Sequence, residues 1–244
     1  MTIATEIRRR PGGEVANRPL HFIWIADCSG SMMGSKMSSL NTAIREALPH
    51  MEKVADENPN AAVLVRAIAF ADIARWHVSQ PTPLDEFKWE DLTYGGLTAM
   101  GDAFDLLAGA LDVERMGSRA LPPVLVLLSD GQPSDEWKGS LERLLCEPWA
   151  VKAVRLAIAI GDDADHAPLE AFIDNPEINV LQANNPETLV RYIRWVSTAV
   201  LQSASAPAVS GDDKDGPTTT AGVAMASVPI PTAAGSPIDA ADPW

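Results

Sequence analysis

Cysteine, basic charge and long apolar runs are all scarce in this chain, and each shortage removes a class of protein. Two cysteines, Cys28 and Cys146, cannot build a disulfide framework. They suit a reducing compartment, so the cytoplasm is the expected location. A bilayer-spanning helix needs about 20 apolar residues, and the run that begins at His21 is far shorter. The first residues also lack a long apolar core behind their charges, so neither membrane insertion nor export is expected. Lys and Arg number 19 against 33 Asp and Glu, giving a formal charge of -14 and a pI near 4.6. Phosphate backbones are held by clustered Lys and Arg, which this sequence does not offer, and a nucleic-acid partner is excluded on that ground. The one basic run, Arg8-Arg9-Arg10, reads as a solvated disordered start in preference to a contact for acidic lipid or phosphate. His21, His50, His77 and His166 fall in unrelated segments without ligand spacing, which argues against zinc.

What is present is enough apolar material, 46% of 244 residues, for one well-buried domain with chain to spare. Residues 1–19, punctuated by Pro11, Gly12, Gly13 and Pro19, read as a flexible lead. The domain is expected over 20–203. Residues 204–244 shift to Ala, Pro, Ser, Gly, Thr and Asp without apolar periodicity, and burial there is too small to offset the entropy of ordering, so a disordered tail is expected. Its terminal Asp242-Pro243-Trp244 reads as a frayed end, the alternative being a short aromatic anchor for a partner's pocket.

Short, nearly continuous apolar runs recur at 21–26, 62–70, 123–129 and 154–160, as expected for strands covered on both faces. Between them lie stretches with helical period. Leu40, Ala43, Ile44, Ala47, Leu48, Met51 and Val54 form one stripe over 37–56, with Pro49 a candidate kink and Pro59 a stop. Further helices are expected at 99–113, 134–146 and 187–200. Residues 74–80 follow the second strand too closely for a parallel crossover, so they are expected to fold back as an antiparallel edge strand ended by Pro81 and Pro83. A last short strand is expected at 179–181. The alternation predicts an α/β fold, a doubly wound and mostly parallel sheet with helices on both faces.

Oxygen-bearing side chains gather where such a fold would bind a ligand. Asp27-Cys28-Ser29-Gly30-Ser31 ends the first strand, Asp130 ends the run 123–129, and Thr98 lies behind Gly95 and Gly96 just before a helix. Loops at the carboxyl ends of parallel strands converge on one crevice. Ser29 and Ser31, two apart, can turn both hydroxyls to one ion if their loop is extended. Three hydroxyls, two carboxylates and water match the six oxygens that Mg²⁺ prefers, with Mn²⁺ or Ca²⁺ as substitutes. Each residue also has a plainer role to weigh: Thr98 as the cap of the helix at 99–113, and Cys28 as a buried filler against an oxidisable thiol. Asp162, Asp163 and Asp165 read as a turn and cap for a short helix at 168–173, the alternative being a larger acidic rim. Asp135 and Glu136 are assigned to the start of the third helix.

Asp27-x-Ser29-x-Ser31, Thr98 and Asp130, in this order and on these elements, resemble the metal-ion-dependent adhesion site of von Willebrand factor A-type domains. The runs 95–103, 127–135, 157–164 and Trp195-Val-Ser197 are similar to the bacterial tellurium-resistance-associated branch, over about residues 18–200. The resemblance implies a six-stranded Rossmann-like sheet with one antiparallel edge strand. It also implies Mg²⁺ at the crevice and an acidic residue of a partner protein in its open position. It further implies a stress-response or phosphorylation-linked module in which a kinase-like protein or a metal-dependent phosphatase is the partner. Two other readings compete: a Mg²⁺-dependent phosphohydrolase, and a structural subunit whose ion only stiffens the loops. The first lacks a second acid two residues beyond Asp27, where Ser29 stands, and no phosphate-cradling glycine-lysine loop is present. No catalytic residue is assigned, and an enzyme is not expected.

Overall fold

The computed structural model describes residues 18–58, 61–117 and 119–202. The expected tail and nearly all of the expected lead, with Arg8-Arg9-Arg10 and Asp242-Pro243-Trp244, lie outside the described residues. Six strands and seven helices follow in order: β1 Arg18–Asp27, α1 Ser35–Glu57, β2 Ala61–Phe70, β3 Ala74–Pro83, α2 Met100–Ala108, α3 Val113–Met116, β4 Val124–Ser129, α4 Trp137–Leu145, α5 Pro148–Lys152, β5 Val154–Ile160, α6 His166–Ile173, β6 Leu181–Ala183 and α7 Pro186–Trp195. The strands form one sheet in the order β3-β2-β1-β4-β5-β6. All pairings are parallel except the β2–β3 hairpin, so the expected α/β architecture with one antiparallel edge is the one observed.

Alternation along each central strand feeds two separate cores. Phe22, Trp24 and Ala26 of β1 lie under α1 and α7 with Leu40, Ile44, Met51, Leu189 and Ile193. Ile23 and Ile25 face the other way, onto Phe104, Leu107, Leu141, Leu144 and Phe172 of α2, α4 and α6. Ala157 and Ala159 of β5 are small on that second face, where α6 packs closely. The rings of Phe104 and Phe172 stack there with centroids 5.6 Å apart. Each large side chain fully withdrawn from water contributes about 1.5–3 kcal/mol, and Trp24 and Phe22 are among them.

Several element ends depart from the sequence expectation for identifiable reasons. Helix α1 runs on through Pro49, which is exposed, so the carbonyl it leaves without a donor is one that water can reach. The helix expected over 99–113 stops at Ala108, where Gly109 follows; Asp112 then accepts from the Arg115 N–H at 2.8 Å to start α3. Strand β3 extends through Pro81 and Pro83, which an edge strand tolerates. The last strand is Leu181–Ala183, two residues later than expected, because Leu181 and Ala183 are the buried alternating pair opposite Ile158 and Ile160. After α7 the helix widens into a π turn over Val196–Val200, where Ser197 Oγ donates to the Ile193 carbonyl at 2.6 Å and Thr198 Oγ1 to that of Arg194 at 2.8 Å.

From β1 the chain winds through α1 to β2 on one side, and later through α2 and α3 to β4 on the other. The strand order therefore reverses between β1 and β4. The crevice outside their carboxyl ends is the usual ligand position of this architecture.

Candidate metal centre

Asp27 is the last residue of β1, and both its oxygens are held. Oδ1 accepts from the Ser29 backbone N–H at 2.8 Å, and Oδ2 accepts from the Ser129 hydroxyl at 2.5 Å. Ser129 ends the neighbouring strand β4, and its Oγ in turn accepts from the Gly131 N–H at 2.9 Å. Ser29 is extended, but the residues after it do not form the extended loop that the sequence reading set as a condition. A 3₁₀ turn covers Gly30–Met32, yet it still brings Ser29 Oγ within 2.9 Å of Ser31 Oγ.

The second loop is tied to the first by backbone hydrogen bonds, Gly95 N–H to the Cys28 carbonyl at 2.8 Å and Gly30 N–H to the Gly96 carbonyl at 3.0 Å. Such close approach requires glycine. Gly96 has φ +85°, and a β-carbon there would lie 2.6 Å from the Asp72 carboxylate. Thr98, buried just ahead of α2, is not the helix cap. Ala99 occupies the cap position without a side-chain bond, and the N–H groups of Gly101 and Asp102 are taken by the two carboxylate oxygens of Asp135 at 3.1 Å each. Asp135 therefore caps α2 from the far loop and does not serve the start of α4, where Glu136 makes no side-chain cap bond either. Thr98 is held through its backbone instead: its N–H donates to Ser134 Oγ at 3.0 Å, and its carbonyl accepts from the Ser134 N–H at 2.9 Å. These uses of Ser134 and Asp135 explain why α4 begins only at Trp137.

Asp130 follows β4 and completes the crevice. It is fully buried, its carbonyl accepts from the Asp165 N–H at 2.8 Å, and neither carboxylate oxygen has a hydrogen-bond partner. Burial pushes the Asp27 carboxyl from 3.8 up to about 6, and the neighbouring Asp130 charge adds to it against the hydrogen bonds from Ser129 and Ser29. Among the described residues neither aspartate has an ion pair. Two adjacent buried carboxylates without a cation cost several kcal/mol per ion, and a bound dication reverses that cost. The donors, hydroxyl and carboxylate oxygens with no thiolate or imidazole among them, are those of a hard cation such as Mg²⁺. The residues present thus fit such an ion. Among the described residues no three His, Cys, Asp or Glu side chains group as a metal site of their own, in keeping with a donor set of three hydroxyls and only two carboxylates.

Sequence reasoning passed over Ser129, Ser134 and Asp135 as parts of this site. Ser129 had a signal, as the hydroxyl at a strand end beside Asp130; the other two had none that a linear pattern could show. Cys28 is buried, its Sγ 3.7 Å from the Ala26 carbonyl, and burial pushes its thiol up to about 12. It is a filler at the strand end and not a reactive group. Asp165 caps α6 by accepting from the Ala167 N–H at 3.0 Å, and Asp163 pairs with Lys36 at 3.5 Å. Of the histidines, His166 meets Gln182 at 2.5 Å, His77 meets the Glu90 carbonyl at 2.9 Å, and His21 is buried in β1. Among the described residues no helix is long and apolar enough to cross a membrane.

The sequence that folds into this wound sheet is recognised by a family model. The von Willebrand factor type A domain model matches residues 23–194, which include all five candidate ligands, and the chain belongs to that family. No curated protein matches the chain significantly. Among solved structures it is similar to a von Willebrand factor type A protein of Catenulispora acidiphila, at 20% identity and a TM-score of 0.56 over 76% of this chain and 43% of that one. It is also similar to the pilus adhesin SpaC of Lactobacillus rhamnosus GG in its open conformation, at 14% identity and a TM-score of 0.56 over 77% and 30%. A third is proximal thread matrix protein 1 of the mussel byssus, with a zinc-occupied MIDAS motif, at 17% identity and a TM-score of 0.52 over 77% and 47%. The chain spans less than half the length of each of these three. At such identities the likeness speaks to the fold.

Proposed function

We propose that the chain is a metal-dependent protein-binding module. Asp27, Ser29, Ser31, Thr98 and Asp130 would hold a divalent cation, Mg²⁺ in the first instance, and an Asp or Glu of a partner protein would complete its coordination. The observation that carries this reading is the buried Asp130 carboxylate, with no hydrogen-bond partner, beside the equally buried Asp27. The bound ion would supply a hard electrophile, kept strong because hydroxyls are weak donors. Ser129 and the Ser29 N–H orient the Asp27 carboxylate, and the glycine pair lets the Thr98 loop close on the first loop. The zinc-occupied MIDAS of the byssus protein and the adhesin role of the pilus protein, both on this fold, support a binding function for the same rim here.

Both oxygens of Asp27 are engaged by hydrogen bonds from the protein itself, which suits an orienting carboxylate better than the nucleophile a phosphohydrolase requires. The narrower setting, a tellurium-resistance-type or phosphorylation-linked scaffold in the cytoplasm with a kinase-like protein or metal-dependent phosphatase as partner, rests on the sequence resemblance in 95–103, 127–135 and 157–164. Affinity capture from cell extract with and without divalent cation tests the function. Capture is expected to need the cation and to vanish in Asp27→Ala and Thr98→Ala; full capture by both variants would reject the reading.

A further inference from the structure

Large apolar side chains on the surface are concentrated around the crevice. Five are well exposed among the described residues, Met33, Ile73, Tyr94, Leu97 and Val151; three of these stand on loops of the metal centre and Ile73 on a hairpin bonded to them. Met33 follows the 3₁₀ turn that carries Ser31, and Tyr94 and Leu97 bracket Gly95-Gly96 ahead of Thr98. Ile73 tips the β2–β3 hairpin, which is bonded to the same loop: Asp72 Oδ1 accepts from the Leu97 N–H at 2.8 Å and the Ala71 carbonyl from the Ala99 N–H at 2.7 Å. Only Val151, on α5, lies away from this end of the sheet. Monomeric surfaces rarely group such residues unless something covers them.

A cleft of about 210 Å³ opens between the hairpin and the glycine loop, with Cys28, Asp72, Ile73, Arg75, Thr93 and Tyr94 in its walls. Asp72 is engaged with the Leu97 N–H, whereas the exposed Arg75 guanidinium makes no ion pair or hydrogen bond among the described residues. On a chain of net charge -14, an unpaired guanidinium beside the cation site is a local point of attraction for acidic groups.

We propose that this surface docks a turn of a partner protein carrying an Asp or Glu for the cation, an adjoining aliphatic or aromatic side chain that enters the cleft between Ile73 and Tyr94, and a second acidic side chain that meets Arg75. The inference rests on the metal-site reading above and adds to it the chemistry of the partner. Apolar contact supplies affinity while the paired acidic groups supply register.

The test is to pan a phage-displayed random peptide library on the full chain in Mg²⁺ buffer and elute with EDTA. Released peptides are expected to join acidic residues to an apolar one within a few positions. Synthetic copies should lose about tenfold or more in affinity for an Ile73→Ser, Tyr94→Ser double variant and for Arg75→Glu; the double variant keeps the wild-type Mn²⁺ affinity, Arg75→Glu does not bind Mn²⁺ more weakly than wild type, and both keep the wild-type thermal melt. Val151→Ser should bind as wild type. Peptides without apolar preference, or affinity unmoved by the variants, would overturn the inference and leave the metal site standing. So would Mn²⁺ binding without any EDTA-released peptide. Mg²⁺-driven self-association lost in the same variants would give the surface to a second copy and overturn it as well. Absence of both Mn²⁺ binding and peptide capture would overturn the metal-site reading too.

Discussion

Ser129 Oγ donates to Asp27 Oδ2 across 2.5 Å, joining the last residues of two adjacent parallel strands that are 102 positions apart in the chain. The bond fixes one carboxylate at the switch point while the next residue along, Asp130, is left with both carboxylate oxygens unpartnered. Ser129→Ala should therefore free Asp27 to reorient. Mn²⁺ affinity, read by electron paramagnetic resonance, is expected to fall by about 10–100-fold, the usual effect of removing a group that orients a metal ligand. Unchanged affinity would show that the hydrogen bond does not serve the site.

Gly131 should tolerate no side chain. Its φ is +69°, and a β-carbon would overlap the Asp165 carbonyl oxygen, on the residue whose N–H holds the Asp130 carbonyl. Gly131→Ala is expected to destabilise the fold by about 2–4 kcal/mol, through left-handed strain plus displacement of that loop. Chemical denaturation in EDTA isolates this from any metal effect.

Asp135 provides the cap of α2 from 34 residues away. Asp135→Ala should cost about 1 kcal/mol by loss of that cap, and Asp135→Asn less, since one amide oxygen still accepts. The same loop holds Thr98, so a modest loss of metal affinity should accompany the drop in melting temperature.

In the metal-free chain, two buried groups give opposing pH dependences. Asp27 is pushed up from 3.8 to about 6, chiefly by burial, so the folded state holds its proton more tightly than the unfolded state does. That contribution is complete below pH 3.8 and is lost as pH rises through 6. His21 is pushed down from 6.5 to about 4, first by burial and then by the Arg66 charge, so its contribution is complete above pH 6.5 and is lost as pH falls through 4. Asp27→Asn removes only the first. In EDTA, Asp27→Asn should match wild type near pH 4 and exceed it by up to about 3 kcal/mol near pH 7. Saturating Mg²⁺ should reverse the order at pH 7. A difference between the two proteins that stays flat from pH 4 to 7 would contradict the assignment.

The wound sheet was readable from the chain because strands buried on both faces leave near-continuous apolar runs such as 21–26 and 123–129, and a hairpin too short for a crossover marks its own antiparallel partner at 74–80. Some helix ends were less readable, that of α2 because its cap comes from elsewhere. Nothing near Met100 says that Asp135 will cap that helix, and nothing near Ser197 says that α7 will pass into a π turn there. The candidate ligands were visible as oxygen-bearing residues at or just after the ends of two strands and, for Thr98, in a glycine-marked loop ahead of a helix. Ser134 was not, since its contribution is two hydrogen bonds to a backbone 36 residues away, which leave no periodic trace.

Titration of Mg²⁺ or Mn²⁺ into the EDTA-stripped full chain, wild type against Asp130→Ala, tests the central claim most directly. One saturable site per chain in the wild type, weakened about tenfold or more in the variant with the fold intact by circular dichroism, is the predicted result. No saturable site in the wild type, or one that Asp130→Ala leaves unchanged, would contradict it.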